Sequence, residues 1–67
     1  MNAELIGTWA GLVWNALDEA KATLALKAIK KATKLKVNEL YAALGWLARE
    51  GKIAIAETEA DVEVTLL

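Results

Sequence analysis

The stretch TKLKVNELYAALGWLAREG, residues 33–51, decides how the rest of the chain is read. Val37, Leu40, Leu44 and Leu47 recur at spacings of three and four, which lines one face of a helix. Gly51 follows Arg49 and Glu50, where a helix commonly ends on a left-handed residue. The segments before it read as helices packing on that face. The segment after it reads as a hairpin that returns to it.

Working back, Asn2 is placed to cap a first helix, with Glu4 in the first turn where an acid suits the helix dipole. Ile6, Ala10, Val13 and Leu17 form one apolar stripe, and Leu5, Trp9, Leu12 and Ala16 form a second. Trp14 sits beside the first stripe. Such a helix is nearly apolar all round, so two surfaces must cover it. Gly7 and Gly11 are spaced for close helix packing within a core. The segment from Asp18 to Ala22 ends this helix, and Thr23 and Leu24 are read as a short strand. A second helix follows from about Leu26 to Thr33, with Leu26 and Ile29 inward. Ala25 stands where a polar cap is expected, and an alanine there costs roughly 1 kcal/mol of helix stability.

Working forward, the period changes to two. Ile53 and Ile55 alternate with Ala54 and Ala56, and Val62, Val64 and Leu66 alternate with Glu63 and Thr65. A four-residue loop, Thr58 to Asp61, sets Ile55 opposite Val64 and Ile53 opposite Leu66. Both apolar sets then fall on one face of the hairpin.

Composition narrows the possibilities further. At 67 residues the chain is a single domain, residues 1–67, with little core to spare. No Cys or His is present, which excludes disulfides and the usual zinc ligand sets. The lack of Ser as well removes the common nucleophile–base pairs, so neither a catalytic site, a cofactor nor a small-molecule substrate is expected. The N-terminus lacks the pattern of a signal peptide, and no apolar run approaches the ~20 residues of a membrane span. The expected setting is the cytoplasm, or a recombinant chain with no native location. Alanine fills 14 positions and leucine 11, while Ser, Gln, Pro, His, Cys and Phe are all missing, a balance that sequence design favours.

Helix, short strand, helix, turn, helix and two-stranded hairpin is the order of a winged helix-turn-helix, an α+β fold that is mainly α. Leu35, Leu40, Leu44, Leu47, Gly51 and Ile53 follow the rhythm of winged-helix regulators from the turn into the wing. KKATKL at 30–35 and ALGWLAREGKI at 43–53 resemble a small stand-alone bacterial winged-helix family of unknown function, to which DNA binding is ascribed. The resemblance covers nearly the whole chain. It implies polar residues near positions 9, 12 and 25 and on the solvent faces of helix 2 and the wing. Here those positions hold Trp9, Leu12, Ala25, Ala28, Ala54 and Ala56, a change expected of an engineered interface.

Two functions are therefore expected from the sequence. The first is a non-enzymatic association module, a designed homodimer or one half of a designed pair. Its interface comprises Leu5, Trp9, Leu12 and Ala16, with Ala54 and Ala56 as small residues permitting close approach. Trp9 could instead fold back and complete the monomer's own core. The alternative is a DNA-binding regulator. Residues 27–36 carry +5 through Lys27, Lys30, Lys31, Lys34 and Lys36, where a helix-turn-helix meets phosphates. Asn38 and Arg49 on the third helix are capable base readers. Against this, residues 53–67 carry −4 and would repel phosphate.

Overall fold

The computed structural model describes the whole chain, Met1–Leu67, and builds it from six elements. They are α1 (Ala3–Ala20), β1 (Leu24–Ala25), α2 (Leu26–Thr33), α3 (Val37–Arg49), β2 (Ile53–Glu57) and β3 (Val62–Leu66). This is the winged helix-turn-helix order expected from the sequence. The extents are 31 × 22 × 21 Å.

Local chemistry sets most of the boundaries. The Asn2 side chain accepts the Leu5 N–H at 2.8 Å, closing the N-terminus of α1. Glu39 reaches back to accept the Lys36 N–H at 2.9 Å, which does the same for α3. At the far end of α3, Gly51 takes φ +72°, its N–H donates to Ala48 and the Lys52 N–H donates to Leu47. This pair of bonds satisfies two terminal carbonyls and requires a left-handed residue, which glycine supplies without a Cβ penalty.

The missing cap at Ala25 is replaced from a distance. No side chain of the N-cap residue serves α2, but the Asp61 carboxylate accepts the Lys27 N–H at 3.2 Å and the Val62 N–H at 2.7 Å. Asp61 is itself held in the wing loop, where its backbone N–H and C=O engage the Thr58 hydroxyl. The wing is thereby tied to the start of α2 through a residue 34 positions away. Asp61→Ala should lower unfolding stability by about 1 kcal/mol, the usual worth of a helix cap, in a urea titration. No change in midpoint would show that the contact adds nothing.

The core is wholly apolar. Ala10, Val13 and Leu17 of α1, Ile29 of α2, and Leu40, Ala43, Leu44 and Leu47 of α3 are buried with Leu35, Ile53 and Val64. No buried side-chain polar atom lacks a partner. The most extensive contact is α1 against α3. There the Trp46 indole lies 3.6 Å from where a Cβ of Gly7 would stand, so Gly7 marks a close approach. Gly11 has no such neighbour, and only half of the expected glycine packing is present.

The sheet has the order β1-β3-β2 and is antiparallel throughout. Ile53 pairs with Leu66, Ala54 with Thr65, Ile55 with Val64 and Ala56 with Glu63, the register expected from the loop length. β1 comprises Leu24 and Ala25 rather than Thr23 and Leu24. Thr23 instead hydrogen-bonds through its hydroxyl to that of Thr65 at 2.6 Å.

Three side chains depart from the expected burial. Val37 belongs to the apolar stripe of α3 but is 48% exposed, because it opens the helix beyond the end of the core. Ile55 is 44% exposed although it shares a face with buried Ile53, because it lies on the outer strand β2; its cross-strand partner Val64 on the central strand β3 is fully buried. Trp14 beside the α1 core stripe stays exposed as well.

Candidate nucleic-acid interface

The basic residues lie on one continuous piece of backbone. Lys27, Lys30 and Lys31 project from α2, Lys34 caps its C-terminus in a left-handed conformation, and Lys36 precedes α3. All five are exposed. The tether for this segment is Leu35, buried in the turn between its two lysine neighbours. At 100° per residue, Lys27, Lys30 and Lys31 share one side of α2, while Ala28 and Ala32 fall on the other. None of the chain's side-chain hydrogen bonds uses a lysine ammonium, so these charges are free to meet a ligand.

The outer face of α3 carries Asn38 and Arg49 about three turns apart, both exposed, with Ala42 and Gly45 between them. Small residues in the middle leave the helix backbone close to whatever lies opposite. Tyr41 is exposed on the adjacent flank. Sequence periodicity already places Ala42 on this face with Asn38 and Arg49.

Residues 1–66 match the model of the winged helix-turn-helix domain family DUF2582. The chain belongs to that family. The DUF2582 domain is also similar to the solution NMR structure of protein BT2368 from Bacteroides thetaiotaomicron, at 33% identity and a TM-score of 0.84, over 98% of this chain and 79% of that one. No curated protein matches it. Neither similarity marks the sequence as a designed one. The winged helix-turn-helix is a non-catalytic fold class, and this winged helix is accordingly not an enzyme. No helix in it is long and apolar enough to cross a membrane.

The residues expected to form one association surface do not all meet. Trp9 is half-buried and packs against the core, because α1 turns that flank partly inward. Leu5 and Leu12 remain 42% and 44% exposed, with half-buried Ala16 beside them. Ala54 and Ala56 lie on the opposite face of the sheet from Ile53, whose side chain enters the core, and so stand apart from the α1 flank. The grouping fails because periodicity places residues on a face of their own element and says nothing of how elements face each other.

Proposed function

We propose that this winged helix binds duplex DNA, with Lys27, Lys30, Lys31, Lys34 and Lys36 on phosphates and α3 presenting Asn38 and Arg49 to base edges. The observation that carries this reading is the cluster of five exposed lysines on α2 and the turn before α3. That is the place where a helix-turn-helix crosses the backbone while its second helix enters the major groove. Family membership points the same way.

The wing takes a different part from the usual one. Glu57, Glu59, Asp61 and Glu63 leave it acidic, and residues 53–67 hold no lysine or arginine. Phosphate is repelled there, so docking depends on α2, the turn and α3.

A fluorescence-anisotropy titration of a labelled duplex tests the proposal. Five phosphate contacts release counterions with a slope of about −4 to −5 in log K against log salt. Binding that is absent at about 50 mM salt, or insensitive to salt, would sink it. A second reading, non-enzymatic protein association, is favoured by one observation: Leu5 and Leu12 stay exposed on α1.

A further inference from the structure

We propose that a cavity between the end of α1 and the open edge of β3 binds a free α-amino acid with a small apolar side chain. The cavity has a volume of about 300 Å³, at the small end of the range for ligand sites. Leu17 and Leu66 supply its apolar lining, and Asp18, Lys21, Thr23 and Thr65 its polar groups.

The backbone of β3 leaves one residue unpaired at this edge. The Leu67 N–H donates to Lys52 and the Thr58 N–H to Asp61, which fixes the alternation of bonds along the wing. Glu63 and Thr65 therefore bond to β2, while Val62, Val64 and Leu66 turn their N–H and C=O toward the β1 side. Val64 meets Leu24, but β1 begins at that residue, and no backbone bond joins Leu66 to Ala22. The N–H and C=O of Leu66 are left free.

That pair of groups selects the ligand. Bonded residues of an antiparallel ladder exchange one N–H···O=C bond in each direction. A free α-amino acid carries its ammonium and carboxylate on one carbon, as a strand residue carries its N–H and C=O. Set opposite Leu66, it donates from the ammonium to the carbonyl and accepts the N–H on its carboxylate.

The surrounding charges match both ends. Asp18 and Lys21 are exposed and take part in none of the chain's side-chain hydrogen bonds. Lys21 complements the carboxylate and Asp18 the ammonium. The last turn of α1 holds no basic residue, so its negative dipole end also favours the ammonium. The Thr23 and Thr65 hydroxyls lie 2.6 Å apart, and one donates to the other, which leaves the second hydrogen for the carboxylate. The ligand's own side chain rests on Leu17 and Leu66. The site shares no residue with the proposed duplex surface, and its test contains no DNA.

An NMR titration of the isotope-labelled chain with L-valine tests the site. The Lys21, Thr23 and Leu66 amides should shift and saturate, with a dissociation constant of about 1 mM or tighter. No saturable shift at these amides overturns the proposal, as does saturation confined to the lysines of α2. Acetate and methylammonium each offer one charge and should bind at least tenfold more weakly. Equal binding by either overturns recognition of the zwitterion. Asp18→Asn and Lys21→Asn should each weaken L-valine binding at least tenfold, and asparagine tolerates the left-handed backbone at position 21. An unchanged constant in either variant overturns the site. Should a variant fail to fold, N-acetyl-L-valine on the unaltered chain decides. It lacks the ammonium and should bind at least tenfold more weakly than L-valine; equal affinity overturns the proposal.

Discussion

Changing Lys27, Lys30 and Lys31 together to glutamate should abolish duplex binding while leaving the fold intact. The three side chains are exposed on one side of α2 and contribute nothing to the core. Glutamate is as good a helix former as lysine, so α2 itself should persist. The charge of residues 27–36 falls from +5 to −1, which replaces attraction to phosphate by repulsion. The loss should be at least about a hundredfold at low salt, roughly 3 kcal/mol, and any residual salt slope should be shallower by about 2.7. Anisotropy measures both, and circular dichroism checks the fold. Unaltered affinity would mean that the lysines form a solvated face and the proposed function is wrong. Duplex binding that survives with a changed slope would move the phosphate contacts to the turn, where Lys34 and Lys36 remain.

Leu40→Ala should be the most damaging single core change. Leu40 is fully buried at the centre of the α3 stripe. Removing most of a buried leucine side chain costs about 2–5 kcal/mol, through lost transfer energy and the cavity left behind. A domain of this length holds only about 3–10 kcal/mol in total, so the variant should lose a large part of its stability or unfold near body temperature. Val37→Ala in the same stripe should change stability by less than about 0.5 kcal/mol, because Val37 already faces solvent. A urea series on the two variants separates them. Equal losses would contradict the burial described for α3.

The contrast between Leu40 and Val37 shows where reading from sequence stops. Both lie on the same helical face, and spacing cannot distinguish them. What differs is their place in the helix: Val37 is its first residue and lies outside the buried cluster, whereas Leu40 lies within it. Ile55 repeats the lesson in the hairpin: alternation identifies its face, but it lies on the outer strand of the sheet while its partner Val64 on the central strand is buried. The candidate interface divides in the same way. The basic cluster was legible because its lysines are neighbours along the chain. The close approach of Trp46 to Gly7 was not, since it brings together two helices that are far apart in the chain.

The sequence by itself determined the elements, their order, and the register of the wing. Periods of 3.6 and two, the cap at Asn2, the glycine at 51 and a four-residue loop all act within a few residues of backbone, so they are written locally. Tertiary structure decided that Trp9 packs half-buried against the core while Leu5 and Leu12 stay exposed. It also supplied α2 with a cap from Asp61 and separated Ala54 and Ala56 from the α1 flank. Those outcomes depend on which surfaces lie across from one another. Residues far apart in the chain meet there, and no local pattern records the meeting.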